Sequence, residues 1–308
     1  MLHSAQHKEI GMRHLKDFHY IEAVMRAGSI RKAAEDLNIT GSALNRRIQN
    51  FEADFGAQIF ERLPRGMRLN PAGELLIQHF RAQRSDLRRV QSLVNDLNGE
   101  RRGHVSIACS QALAPYFLPQ QIARYRTEHP AVTFSVQIRD RASAEADLRS
   151  FESDLALVLE PVHLVDFEVL AAVRQPVHAI MRTDDPLSRH EEVRLRDCLD
   201  RTHVVPNRAY AVRHMLDAAL AGTSRQLSAA VETDSFDFMR HYVEYEDAIA
   251  FQIPIGLRLP DGLTSRPLAS RDMAPGSLLL GQLRGRSLPV APARFAQRLA
   301  EVLQDLPG

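Results

Sequence analysis

From Gly28 to Gly56 the chain reads GSIRKAAEDLNITGSALNRRIQNFEADFG. A short helical pattern, Ile30 to Leu37, gives way to a break at Asn38-Ile39-Thr40 and then to a longer helical pattern closed by a glycine. Two helices joined by a tight turn make a helix-turn-helix unit. Ser29 is a preferred N-cap type for the first helix, and Ala33, Ala34 and Leu37 share the face that buries. The two alanines let a second helix cross closely. Thr40 caps that second helix, Leu44, Ile48, Phe51 and Phe55 keep its apolar period, and Gly56 supplies a left-handed stop. Ser42, Asn45, Arg46 and Gln49 are left on the opposite, early-turn surface. Such side chains hydrogen-bond base edges or phosphates when a helix start enters a major groove, Asn favouring adenine and Arg guanine. Taken alone, the same stripe is equally an ordinary solvated helix face, so the neighbouring elements decide.

Upstream, Leu15, Phe18, Ile21 and Val24/Met25 repeat at helical spacing and supply a helix to cover the other two. Downstream, Gln58 to Asn70 has strand-like runs around Pro64-Arg65-Gly66, flanked by Arg62, Arg65 and Arg68, which reads as a basic hairpin wing. The segments AGSIRKAAEDLNIT, SALNRRI, FGAQIFERLPRG and RLNPAGELL resemble the N-terminal domain of the LysR-type transcriptional regulators. The resemblance covers nearly the whole chain from about Met12 onward. It implies double-stranded promoter or operator DNA as a partner, and the candidate DNA-binding residues are Arg31, Thr40, Ser42, Asn45, Arg46, Gln49, Arg65 and Arg68. In one place the chain departs from the pattern: Gly41 and Ser42 stand where the family commonly has a polar residue such as Gln followed by Pro. The family's usual operator sequence therefore does not carry over.

At 308 residues the chain has room for two or three domains. Its net charge of +1 is far from the strongly basic balance of a protein that only coats nucleic acid. Residues 14–70 hold nine Lys/Arg against seven Asp/Glu, so charge alone does not mark the DNA-binding part. Cys109 and Cys198 lie far apart without metal or disulfide spacing, which fits a reducing compartment. With no long apolar run, and residues 1–13 lacking the core of a secretory signal, the expectation is a cytoplasmic protein without membrane contact. That N-terminal tail, 1–13, is expected to be disordered, and His3, His7 and His14 are too loosely spaced for a metal site. No cofactor is expected.

Asn70 caps a long helix over 71–98, Pro71 takes its first position, and Gly73 lets a neighbour approach. Leu76, Phe80, Gln83, Leu87, Val90, Val94 and Leu97 follow a 4-3-4-3-4-3 spacing, a heptad seam with one polar member. Such a seam either packs on the chain's own domains or pairs with a second copy. The resemblance implies the latter, an antiparallel helix pair in a homodimer, a homotetramer beyond it, and RNA polymerase as a possible further partner. Two recognition helices on one assembly would read two half-sites. Glu100-Arg101-Arg102-Gly103 reads as a hinge.

From His104 strands alternate with helices: strand His104–Ala108, helix Leu113–Glu128, strand Val132–Ile138, helix Ala142–Phe151 and strand Asp154–Leu159, which implies a parallel sheet. A second set occupies the region from Phe167 to Ile253, and the chain returns through Leu263–Leu268 and Ser277–Gln282 to a last helix, Pro292–Leu306. The fold class expected is therefore an α+β N-terminal winged helix-turn-helix (14–70), a linker helix (71–99) and an α/β effector domain (104–308). The effector domain has two Rossmann-like lobes, periplasmic-binding-protein-like by resemblance, lobe I about 104–162 and 266–308 and lobe II about 163–265. Ligands of open α/β sheets settle at the carboxyl ends of strands near helix N-termini. On that rule, and on the hydroxyl residue the resemblance places at the first corner, the effector candidates are Ser110, Gln111, Arg141, Pro161, Asn207 and Gln252. Arg141 stands where many family members have a small hydroxyl residue. It would clamp a carboxylate or phosphate, pair with Asp140, or face solvent.

There is no Gly-x-Ser-x-Gly elbow, phosphate loop or paired metal ligands, so catalysis is not expected. Cys109 is either a redox sensor beside a helix N-terminus or a plain buried thiol, the latter favoured by the lack of a nearby resolving cysteine. The whole reads as a regulator switched by a small, anionic metabolite. A non-regulatory solute-binding protein and a cytosolic α/β enzyme are the rivals.

Overall fold

The computed structural model describes residues 13–64, 66–97, 102–160, 162–163, 165–221, 223 and 227–306, with the backbone alone for 13–16. The chain divides into two compact units, one through Asp86 and one from Leu87 onward.

The first unit holds α1 (Arg13–Ala27), α2 (Ile30–Asp36), α3 (Gly41–Phe55), β1 (Phe60–Leu63), β2 (Gly66–Leu69) and the first half of α4 (Pro71–Leu97). Phe18, Ile21 and Val24 from α1, Ala33 and Ala34 from α2, and Leu44, Ile48 and Phe51 from α3 form one buried core with Leu76, Ile77 and Phe80 of α4. The Phe18 and Phe80 rings lie 5.1 Å apart. The α2–α3 turn follows the sequence reading, with Thr40 Oγ1 accepting from the Ala43 N–H and Gly56 left-handed at φ +83°. Ser29 does occupy the N-cap of α2, but its side chain makes no capping bond there. Phe55 is 46% exposed rather than core: it ends the helix beyond the cover of α1 and stacks on Phe51.

The wing is an antiparallel pair, with Phe60 opposite Leu69 and Leu63 opposite Gly66. Its second strand is tied to the α1–α2 turn, where the Met67 N–H donates to the Gly28 carbonyl at 2.8 Å. Gly66 sits at φ +135°, and a Cβ there would lie 2.5 Å from that same carbonyl oxygen, so a side chain at 66 would push the wing off. Asn70 caps α4 by accepting from Gly73 N–H while its amide donates to Gln58. Gly73 leaves space for the Ile59 carbonyl, which a Cβ would meet at 2.2 Å.

The heptad seam divides. Leu76 and Phe80 belong to the core of the first unit, whereas Leu87, Val90, Val94 and Leu97 are 45%, 47%, 49% and 87% exposed in this single chain. The expected unbroken seam is therefore two stretches, one covered by the first unit's core and one exposed in the single chain. A charge cluster also fixes α4 on α1: the buried Glu22 carboxylate lies 3.7 Å from Arg81 and 3.1 Å from Arg84.

In the second unit the first sheet contains β3 (Gly103–Cys109), β4 (Val132–Ile138), β5 (Leu155–Leu159), β6 (Phe167–Gln175) and, from the end of the chain, β12 (Gly276–Leu283). The second contains β7 (His178–Arg182), β8 (Thr202–Pro206), β9 (Ala229–Thr233), β10 (Ala248–Gln252) and β11 (Leu263–Pro267). Their orders are β4-β3-β5-β12-β6 and β11-β7-β10-β8-β9. Helices α5 (Phe117–Glu128), α6 (Arg141–Arg149), α7 (Leu195–Cys198), α8 (Ala211–Leu220), α9 (Phe236–Tyr245) and α10 (Val290–Gln304) complete the unit. β3, β4 and β5 are parallel as expected, but β12 runs antiparallel to both β5 and β6, and β7 antiparallel to β10 and β11, so each sheet is mixed.

The expected lobe boundary shifts as a result. β6 pairs with β12 from Gly276–Gln175 to Leu283–Phe167 and therefore belongs to the first lobe. The first crossing falls at 175–178 rather than near 162, so the expected second lobe loses its first strand, while the second crossing, 267–276, begins beside the expected 266. The helix expected from Leu113 begins at Phe117, because 111–116 forms turns with Leu113 N–H donating to Ser110 and Ala114 N–H to Gln111. Pro115 disfavours the helical conformation in the residue before it. The N-terminal tail expected at 1–13 lies outside the described residues up to 12, and Arg13 already belongs to α1.

Candidate nucleic-acid interface and ligand cleft

The row Ser42, Arg46 and Gln49 is exposed on α3 and Asn45 half-buried, opposite the buried Leu44, Ile48 and Phe51. Thr40 spends its hydroxyl on the cap and lies 3.2 Å from the Ser42 hydroxyl, which fixes Ser42 at the helix start. A Cβ at Gly41 would meet nothing within 4 Å, so that position leaves open space beside the reading edge. A groove of about 930 Å³ separates α3 from the wing, with Asn45 and Gln49 on one side and Arg62 and Asn70 on the other. Glu52 sets its width: its carboxylate accepts from the Ile59 and Phe60 N–H groups at 2.8 and 3.3 Å, tying β1 to the body of α3.

The outlying cations differ from one another. Arg31 is 86% exposed and 3.9 Å from Glu35, an exposed pair that leaves it available. Arg68 is hydrogen-bonded to Glu61 directly across the hairpin, so its charge is partly offset. Arg65 lies outside the described residues. Sequence reading missed Arg47, whose guanidinium lies 4.8 Å over the Tyr20 ring. Its place beside Arg46 was the only local signal, and the partner sits on another helix.

In the second unit two of the expected corners, at Gln111 and Gln252, meet at the seam between lobes. Ser110, half-buried, directly follows β3, and its hydroxyl has no partner among the described residues. The helix dipole expected beside it is displaced, because α5 starts only at Phe117. Gln111 reaches across the seam, its Oε1 accepting from the Phe236 N–H at 3.0 Å. Gln252 answers from the other lobe: its Nε2 donates to the Ala112 carbonyl at 3.4 Å and the Gly256 carbonyl at 3.3 Å. The lobes approach so closely here that a Cβ at Gly256 would lie 1.8 Å from the Ala112 oxygen. Both glutamines are therefore latch residues as well as ligand candidates.

Arg141 opens α6, half-buried, without a hydrogen bond or ion pair among the described residues. It does not pair with Asp140, whose carboxylate accepts from the Ser143 N–H and hydroxyl at 2.9 and 2.8 Å. Burial works against the charged form of Asp140, but these bonds outweigh it and hold the carboxyl below its ordinary value. Asn207 directly follows β8, with Oδ1 accepting from Ala209 N–H at 3.0 Å. Pro161 lies outside the described residues. Its neighbour Glu160 accepts from Ser277 N–H at 2.6 Å inside the first lobe.

Several seam residues escaped the sequence reading. Tyr116 of the first lobe lies under Arg240 and Arg258, at 5.1 and 5.7 Å, and its hydroxyl accepts from Arg240 at 3.0 Å. Gln175 Oε1 accepts from Ile255 N–H at 3.3 Å. The Tyr210 phenol is pushed up by burial and by the carboxylates of Asp234 and Asp140, which belong to opposite lobes. No local pattern marks such pairs, since each joins residues far apart in the chain.

Cys109 is a buried thiol pushed up to about 12 by burial, and Cys198 likewise, which favours the plain buried thiol over a redox sensor. Among the described residues no His, Cys, Asp or Glu group could hold a metal ion. No described helix is long and apolar enough to cross a membrane.

Residues 98–304 match the family described as "LysR substrate binding domain", and residues 15–74 the one described as "Bacterial regulatory helix-turn-helix protein, lysR family". The chain belongs to the LysR family. This LysR-type regulator is 32% identical over 215 residues to the HTH-type transcriptional regulator CbbR of Sinorhizobium medicae, a match spanning 69% of this chain and 68% of that one. In fold it is similar to a full-length OxyR variant from Pseudomonas aeruginosa, with a TM-score of 0.65 at 18% identity over 94% of this chain and 93% of that one. It is also similar to full-length CbnR complexed with its target DNA, with a TM-score of 0.62 at 16% identity over 92% of this chain and 99% of that one. The LysR family is one of DNA-binding transcriptional regulators with an effector-binding domain, and not of enzymes.

Proposed function

We propose that this LysR-type regulator reads its operator with Ser42, Asn45, Arg46 and Gln49. In this reading Arg31, Thr40, Arg65 and Arg68 hold flanking phosphates, and a small anionic metabolite in the interlobe seam switches promoter binding. The observation that carries the DNA reading is the row of unpaired or lightly paired polar side chains on the first turns of α3, opposite an apolar core face. For the effector, support comes from three donors just beyond the ends of β3, β4 and β8: the Ser110 hydroxyl, the Arg141 guanidinium and the Asn207 amide nitrogen, each without a partner among the described residues. The exposed stretch Leu87, Val90, Val94 and Leu97 supports a homodimer through α4, which would place two reading heads on one DNA. A ligand can switch such an assembly only by favouring one arrangement over another.

The test begins with DNA selected from a random library by the full-length chain. Arg46→Ala then weakens binding to the selected DNA by about 1–3 kcal/mol at fixed salt, with non-specific binding little changed. Unchanged affinity would remove that face from the interface.

A further inference from the structure

Gln252 is 1% exposed and uses only one end of its amide. Nε2 donates to the carbonyls of Ala112 and Gly256, the first across the seam and the second within its own lobe. Turning the amide over would set Oε1 against both carbonyl oxygens, acceptor against acceptor, so the neighbours fix its orientation. Oε1 is then a buried acceptor that meets no donor among the described residues. Such a group keeps the cost of its lost hydration, which a donor arriving from outside the chain relieves.

The surroundings are of two kinds. Ala112 directly follows Ser110 and Gln111, and Gln111 holds the N-terminus of α9 at Phe236, against whose ring Tyr210 packs edge-on at 5.6 Å. Asp140 and Asp234, from the two lobes, both act on the Tyr210 phenol. The seam therefore holds the bare Gln252 acceptor, and the strand ends β3, β4 and β8 are followed by the unpartnered donors of Ser110, Arg141 and Asn207. A carboxylate on a purely apolar body would satisfy the donors and leave Gln252 Oε1 bare. A carboxylate that also carries an N–H or O–H group matches both sides.

We propose that the effector is an amino- or hydroxy-carboxylate whose N–H or O–H donates to Gln252 Oε1 while its carboxylate faces Arg141. The inference rests on the anionic-effector reading above and narrows it.

Matched series test it on the full-length chain by calorimetry and thermal shift: propionate against L-lactate and L-alanine, and benzoate against 3-hydroxybenzoate and 3-aminobenzoate. In the series that fits, the donor-bearing acid binds about tenfold more tightly than its donor-free parent. Gln252→Met, which keeps the side-chain length and removes the acceptor, abolishes that difference. The wild-type comparison stands even if the variant fails to fold. Equal binding of parent and substituted acids, or a preference that survives Gln252→Met, overturns this inference and leaves the anionic reading intact. Failure of every carboxylate to bind overturns both.

Discussion

Glu22→Gln keeps the shape of the side chain and removes the negative charge that Arg81 and Arg84 share. The Glu22 side chain is 11% exposed, Arg81 14% and Arg84 33%, so water screens the cluster only on the Arg84 side. Removing one partner of a fully buried ion pair costs about 3–5 kcal/mol, and the partial exposure of Arg84 brings the expectation down to about 2 kcal/mol. For a unit of this size, about 4–8 °C per kcal/mol, the melting temperature should fall by roughly 10 °C. The chain contains no tryptophan, so hydrogen exchange of the α1 and α3 amides in the intact protein is the better assay. Those amides should open more readily while those of β3 and β8 keep their protection. A double variant, Glu22→Gln with Arg84→Met, should recover part of the loss, because one stranded cation is gone. Loss below about 0.5 kcal/mol, or strict additivity in the cycle, would refute the claim that this cluster fastens α4 to α1.

Other consequences are checked more simply. Gly256→Ala places a methyl against the Ala112 oxygen and should destabilise the second unit by about 1–3 kcal/mol, read as an earlier calorimetric transition. Iodoacetamide at pH 8 should leave Cys109 and Cys198 unmodified in the native chain and label both after denaturation, as mass spectrometry would show, since burial pushes both thiols up to about 12. Burial, with Arg266 adding to it, holds His178 down at about 4 from its ordinary 6.5. The unfolded chain therefore protonates first, and the stability this residue contributes is whole above about pH 6.5 and lost as pH falls toward 4. His178→Gln should flatten the melting curve against pH in that window.

What the sequence disclosed was local. The Thr40 cap, the Leu44-Ile48-Phe51 period and the Gly56 stop are contained within one helix, and each is decided by neighbours three or four residues away. Phe55 continues the same period, yet whether the last turn is covered depends on where α1 ends. The strand β6 was recognised as a strand, but its membership of the first sheet is set by pairing with β12 at the far end of the chain. The α4 seam shows the same division, since a heptad spacing states that a face is apolar and not what covers it. At the interlobe seam the strand-end rule singled out Gln111 and Gln252, and both make contacts across it. The latch of Gln111, Gln175, Gln252 and Tyr116–Arg240 was not legible, because amide and guanidinium side chains reach partners with no sequence periodicity. Ser110 was chosen partly for a helix start that turns at 111–116 delay to Phe117.

The most direct test of the account places a reporter on the reading helix. Because both native thiols are buried, Ser42→Cys provides one exposed attachment point for a DNA-cleaving iron chelate on the full-length chain. With the selected DNA bound, cuts should cluster in two major-groove half-sites spaced by whole helical turns, and the same chelate on Asp36→Cys, at the end of α2, should give a different and weaker pattern. Bound DNA that is left uncut from position 42, or cut alike from both positions, would contradict the claim that α3 enters the groove.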